Sequence, residues 1–194
     1  MEQGALVVDA SQPAAFAAAH VPGALNIWLD GLSSWGGWFL PYDRPILLVT
    51  PHDRLAETAL RHLVRIGYEN FAGYLEGGTE SWYLSDLPTS RLPLLTMPEL
   101  KQKMTAASPV FLLDARMPAE WAGGRLPGAV NLPLGHIREN LERVPREGAI
   151  AVYCGSGRRA AIAASIVRQS GRENVSLVLG GPYLWKKAGF PLEK

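Results

Sequence analysis

Short apolar runs rich in Val, Ile and Leu recur along the chain, at Leu6-Val7-Val8, Ile46-Leu47-Leu48-Val49, Val110 to Leu113, Ala149-Ile150-Ala151-Val152 and Ser176-Leu177-Val178-Leu179. Longer segments with helical spacing lie between them. Met97 to Met104 reads as a short helix with Pro98 near its start, and Ala160 to Val167 places Ile162 and Ile166 one helical turn apart among alanines. Apolar strands alternating with helices predict a parallel sheet covered by helices, so the expected fold class is α/β. Ligands of such sheets collect beyond the carboxyl ends of the strands.

The pattern occurs twice. Leu6-Val7-Val8-Asp9-Ala10 through His20-Val21-Pro22-Gly23-Ala24-Leu25-Asn26 parallels Leu112-Leu113-Asp114-Ala115 through Arg125-Leu126-Pro127-Gly128-Ala129-Val130-Asn131. Downstream, Ile46 to Val49 aligns with Ala149 to Val152, Gly77-Gly78 with Gly180-Gly181, and Trp82 with Trp185. The polar, proline-bearing stretch from Ser85 to Pro93 separates the copies, which predicts domains over residues 1–90 and 91–194.

Composition narrows the function classes. The 194 residues are 47% hydrophobic and 19% charged, enough to bury a sizeable core. A formal net charge of +1, with Lys and Arg scattered, argues against a nucleic-acid or anionic-membrane surface. No apolar stretch has transmembrane length, and Met1-Glu2-Gln3-Gly4 lacks the basic start of a signal peptide. A single cysteine excludes an internal disulfide and fits a reducing, cytoplasmic setting. The four histidines, His20, His52, His62 and His136, do not cluster, so no metal site is expected.

The cysteine carries the chemistry. Cys154 opens Tyr153-Cys154-Gly155-Ser156-Gly157-Arg158-Arg159, between an apolar strand and a helical run. A strand feeding a glycine-bearing loop that opens a helix turns backbone N–H groups and the positive helix end toward the loop. A thiolate there is stabilised, and the thiolate is the nucleophilic form. Arg158 and Arg159 add fixed charge for an anionic sulfur- or phosphorus-centred group.

In this order and spacing, Asp114-Ala115-Arg116, Gly124 to Asn131, the Cys154-to-Arg159 loop and Gly180-Gly181 with Trp185 make the second copy resemble a rhodanese domain, the module that carries sulfane sulfur as a cysteine persulfide. The resemblance implies a nucleophilic Cys154, backbone amides of Gly155, Ser156, Gly157, Arg158 and Arg159 around its sulfur, and Arg159 closing the loop. It implies no cofactor, a small-molecule sulfur donor such as thiosulfate or a persulfide, and a thiol or cyanide acceptor. Four residues separate Cys154 from Arg159, the shorter form within this architecture; related phosphatases and arsenate reductases have a longer loop. Arg158 reads as a donor-attracting cation or as a solvated surface arginine. Asp114 and Arg116 read as braces of the loop, and Trp185 as a pocket wall or plain core. A non-enzymatic interaction module, with Cys154 merely redox-sensitive, is the rival reading.

The first copy lacks the machinery. Thr50-Pro51-His52-Asp53-Arg54-Leu55-Ala56 occupies the loop's place: Pro51 replaces the nucleophile and removes a donor, Asp53 adds negative charge, and Ala56 replaces the arginine. Ser11 stands where the second copy has Arg116, and His52 reads as a surface residue. The resemblance therefore implies a catalytically silent rhodanese-like domain. Its aromatic-rich stretch Trp28 to Asp43 reads as a core-capping loop, or alternatively as a docking surface. That stretch, and the few residues before Asp9, resemble fusions of a metallo-β-lactamase-fold persulfide dioxygenase with a silent and then an active rhodanese domain. The expectation is the rhodanese part of such a fusion, or a truncated relative, with a fused or associated dioxygenase as partner.

Overall fold

Ile150-Ala151-Val152-Tyr153 is buried at every position, as a strand must be when helices cover both faces of a parallel sheet. The computed structural model describes residues 4–106 and 110–194; the Met1-Glu2-Gln3 opening used in the signal-peptide reading lies outside them. The chain divides into two compact units, Met1–Arg91 and Leu92–Lys194.

The first unit contains β1 (Leu6–Asp9), α1 (Pro13–Ala18), β2 (Leu25–Asn26), α2 (Leu32–Phe39), β3 (Ile46–Val49), α3 (Ala56–Val64), β4 (Phe71–Tyr74) and α4 (Gly78–Leu84). Its sheet has the order β2-β1-β3-β4, with every pairing parallel. The second unit contains β5 (Leu94–Leu95), α5 (Met97–Met104), β6 (Phe111–Asp114), α6 (Pro118–Ala122), β7 (Val130–Asn131), β8 (Ile150–Tyr153), α7 (Arg158–Gln169), β9 (Val175–Val178) and α8 (Pro182–Lys187). Here the order is β5-β9-β8-β6-β7, again all parallel. Both units are therefore α/β, each a parallel sheet flanked by helices.

Helix α5 begins as its sequence predicts. Thr96 and Glu99 form a reciprocal capping box, and a proline occupies the first turn, where its missing N–H costs nothing. Helix α7 is different in kind, because all eight residues from Ala160 to Val167 are buried. A helix apolar on every side belongs inside a core, and alanines let its backbone approach its neighbours.

Some predicted boundaries shift. The strand expected over Val110 to Leu113 runs over Phe111–Asp114, because its ladder with β8 pairs Phe111 with Ile150 and Asp114 with Tyr153. The strand expected over Ser176 to Leu179 is Val175–Val178. Helix α7 starts at Arg158 rather than Ala160, capped by Gly157 at a φ of 91°. The aromatic-rich stretch is not a loop. It holds a 3-10 turn at Leu29–Gly31 followed by α2, whose Leu32, Gly36 and Phe39 face inward at helical spacing. The two serines and two glycines within it masked that periodicity. Trp28 is buried there, while Trp38 is 61% exposed.

Candidate functional site

The ladder between β6 and β8 places Asp114 beside Tyr153, so both chains leave the sheet at one edge, and Ala115 N–H donates to the Tyr153 carbonyl at 2.9 Å. Cys154 is the next residue after β8. Its side chain is fully buried, and its Sγ accepts the Gly157 N–H at 3.2 Å. Gly157 adopts a left-handed φ of 91°, and a Cβ there would lie 2.8 Å from Leu179 Cδ2. Glycine thus permits the turn that aims its own N–H back at the sulfur.

Of the five loop amides expected around the sulfur, the geometry puts Gly157 N–H in hydrogen-bond contact with it. The others shape the turn: Gly155 and Ser156 are exposed, and Arg158 and Arg159 open α7. Arg158 is exposed. Arg159 is held differently. Its guanidinium grips Glu120 of α6 in a two-pronged pair, Nη1 to Oε2 at 2.5 Å and Nη2 to Oε1 at 2.8 Å. The Arg159 hydrogen bond holds the Glu120 carboxyl down to about 2, and that same bond, helped by the nearby Cys154 sulfur, holds the guanidinium above its ordinary value.

Asp114 and Arg116 form a second pair. Arg116 Nε donates to both Asp114 oxygens at 3.0 and 2.9 Å, and Nη2 donates to Oδ2 at 2.6 Å. The remaining donors reach the Glu120 carbonyl at 3.1 Å and the Gly124 carbonyl at 2.9 Å, tying α6 to the sheet edge. Burial opposes the Arg116 charge, but the Asp114 hydrogen bonds and charge outweigh it and hold the guanidinium above its usual value. Tyr153 lies beneath: its ring centroid is 5.8 Å from the Arg116 guanidinium carbon, and its hydroxyl accepts the Leu126 N–H at 3.4 Å. Burial, reinforced by the Asp114 charge, pushes this phenol up. Arg116 thus holds α6, and α6 presents Glu120 to Arg159 beside the cysteine. Trp185 is fully buried core, its Nε1 donating to the Pro191 carbonyl at 2.8 Å.

Glu120 and Tyr153 are absent from the site residues read from sequence. Glu120 also caps its own short helix, accepting the Met117 N–H at 3.1 Å, and that local role was the only signal it carried. Among the described residues no cluster of His, Cys, Asp and Glu is arranged to hold a metal ion. No helix among them is long and apolar enough to cross a membrane.

The sheet register corrects the alignment of the first loop: β1 pairs Asp9 with Val49 as β6 pairs Asp114 with Tyr153, so the residue in the place of Cys154 is the buried Thr50, with Pro51 one position beyond it, and His52 is exposed. Asp53 accepts the Gly77 N–H at 2.8 Å, so its charge serves the loop itself. Asp9 is fully buried at the end of β1, accepts the Ser11 N–H at 2.8 Å on Oδ1, and has no partner on Oδ2 among the described residues. Burial raises its carboxyl from 3.8 to about 6, against the pull of the Ser11 hydrogen bonds. The folded state therefore holds a proton that the unfolded chain releases, so stability falls as pH rises from about 4 to about 6 and stays low above, by about 3 kcal/mol at most. Asp9→Asn is expected to gain stability relative to the parent across that window, read as the difference in unfolding free energy of the first domain at each pH. A difference that does not grow with pH contradicts an ionisable, strained Asp9.

Two stretches, residues 1–85 and 96–188, match the rhodanese-like domain family. The chain is similar to a sulfurtransferase of Allochromatium vinosum, with 33% identity over 93 residues, 48% of this chain and 87% of that protein. It is also similar to YrkF of Bacillus subtilis, described as a putative sulfur carrier protein, with 28% identity over 140 residues, 70% of this chain and 68% of that one. Among solved structures, a thiosulfate sulfurtransferase of Pseudomonas aeruginosa aligns with 97% of this chain and 40% of its own, at 23% identity and a TM-score of 0.47.

Proposed function

The chain belongs in both halves to the rhodanese-like domain family, and from that premise we propose that its second domain is a sulfurtransferase working through a persulfide on Cys154. The observation that carries the reading is the placement of the only cysteine: at the carboxyl end of a central strand, its sulfur facing Gly157 N–H and the first turn of a 12-residue helix. A helix N-terminus and an aimed amide stabilise a thiolate, and they stabilise the terminal sulfur of a persulfide equally well.

The chemistry balances in two displacements. The Cys154 thiolate attacks the sulfane sulfur of thiosulfate, an S–S bond forms, the donor's S–S bond breaks, and sulfite leaves with the electron pair. A thiolate acceptor then attacks the outer sulfur, carries it off as a persulfide and restores the Cys154 thiolate; cyanide takes it as thiocyanate. A low-molecular-weight persulfide serves as donor by the same displacement, with its thiolate leaving. The resulting kinetics are ping-pong. The Glu120 clamp supports sulfur over phosphoryl chemistry, because both prongs of Arg159 are engaged by a carboxylate rather than open to a tetrahedral oxyanion. In the first domain the same route is closed, since Thr50, in the place of Cys154, offers a hydroxyl that forms no persulfide; we read that domain as catalytically silent.

The test is intact mass of the chain after exposure to thiosulfate or glutathione persulfide, followed by thiol or cyanide. The expected result is the mass of one added sulfur atom, mapped to the Cys154 peptide and removed by the acceptor. Absence of added sulfur with either donor, or sulfur that no acceptor removes, overturns the proposal.

A further inference from the structure

Glu120 places a negative charge at the lip of the Cys154 loop. Its carboxylate takes Arg159 Nη1 at 2.5 Å and Nη2 at 2.8 Å, and a Cβ on the exposed Gly155 would lie 3.9 Å from that same Nη2. The carboxylate therefore sits one hydrogen bond beyond a guanidinium that reaches the residue next to the cysteine. The Glu120 side chain is 41% exposed against 22% for Arg159, so it is the pair's solvent-facing member. It is also held in place. Glu120 Oε2 accepts the Met117 N–H at 3.1 Å, and Arg116 donates to the Glu120 and Gly124 carbonyls at 3.1 and 2.9 Å, fixing α6 at the sheet edge. With its carboxyl held down to about 2 by the Arg159 hydrogen bond, Glu120 stays ionised near neutral pH.

The pair bears on which donor the loop accepts. A guanidinium recognises a tetrahedral oxyanion by offering two parallel N–H groups. In Arg159 a carboxylate already occupies both η nitrogens and offsets the charge. Thiosulfate carries three charged oxygens on the atom bonded to its sulfane sulfur, so its sulfonate end must enter beside Glu120. An alkyl persulfide has a thioether-like sulfur and a methylene there, and the carboxylates of a carrier such as glutathione lie several bonds away. Like charges at such a site repel strongly enough to rank donors.

We propose that Glu120 is a specificity-determining residue, positioning and neutralising Arg159 so that the loop takes sulfur from low-molecular-weight persulfides in preference to thiosulfate. This rests on the sulfurtransferase reading of the second domain. The Cys154 thiolate attacks the outer sulfur of R–S–SH; the new S–S bond forms as the old one breaks, R–S⁻ leaves with the electron pair, and the proton stays on the transferred sulfur. Glu120 takes no part in that displacement and acts through Arg159 and through its own charge.

Glu120→Gln in the full-length chain keeps the side chain's size and removes its charge. The ratio of kcat/KM for glutathione persulfide to that for thiosulfate is expected to fall by about tenfold or more, through a lower KM for thiosulfate. Taking the ratio cancels a general loss from a loosened loop, and Glu120→Asp, which restores the charge, is expected to return it to the parent's value. Sulfate titrated by calorimetry gives a readout without sulfur transfer: the parent is expected to bind it no tighter than about 10 mM, and Glu120→Gln about tenfold more tightly. Tighter sulfate binding by the parent overturns the proposal even where the variant does not fold. A donor ratio or a sulfate affinity unchanged in Glu120→Gln, or a ratio that Glu120→Asp does not restore, overturns it and leaves the transferase reading standing. A parent that takes up no sulfur from either donor overturns the transferase reading and the donor preference with it.

Discussion

Cys154→Ser is expected to abolish turnover of thiosulfate and of glutathione persulfide, by at least about a thousandfold in kcat/KM, while leaving the fold intact. The expectation rests on the chain having a single cysteine. No second thiol exists to relay sulfur, and the first domain has Thr50 where the cysteine stands. A serine hydroxyl is protonated at neutral pH and forms no persulfide, so the first displacement has no nucleophile and the second has no carrier. Serine is also close to cysteine in size, and at this buried position it keeps a group able to accept the Gly157 N–H. Unfolding near the parent's midpoint, together with loss of sulfur loading by mass, separates a chemical defect from a folding one. Retained transfer in the variant sinks the mechanism.

Gly181→Ala is expected to be the most damaging small change in the second domain. Gly181 adopts an extended backbone that any residue tolerates, so conformational freedom is not the issue. Space is: a Cβ there would overlap the carbonyl oxygen of Cys154, a backbone atom with no side-chain freedom to move aside. Relief requires shifting the loop away from the start of α8, at about 3 kcal/mol, or on the order of 15 °C in the unfolding midpoint of a domain this size. Sulfur transfer is expected to fall with it, since the displaced carbonyl belongs to the residue proposed to carry the sulfur. The first domain repeats the contact, where a Cβ on Gly78 would lie 2.5 Å from the Thr50 carbonyl oxygen. An alanine variant with parental stability contradicts the packing described.

Much of this was legible in the chain itself. Five apolar runs marked strands because a parallel sheet buried on both faces writes its residues as uninterrupted apolar stretches, and the duplication made each run in one half a check on the other. The Cys154 loop was legible because glycine, cysteine and arginine sit on adjacent positions. Glu120 was not, since its partner Arg159 lies 39 positions away and nothing local distinguishes a clamp from a helix cap. Helix α2 was obscured by its own serines and glycines, whose weak helix preference is overridden by the burial of Leu32, Gly36 and Phe39.

The complete burial of α7 from Ala160 to Val167 reaches beyond packing. Amide exchange with solvent requires an opening, and the cheapest openings are found where few apolar contacts must break. A helix with no wet side offers none short of unfolding the whole second domain. The turn facing Cys154 is therefore anchored in the part of that domain that comes apart last, and thermal motion that loosens its exposed loops leaves the direction of the Gly157 N–H unchanged.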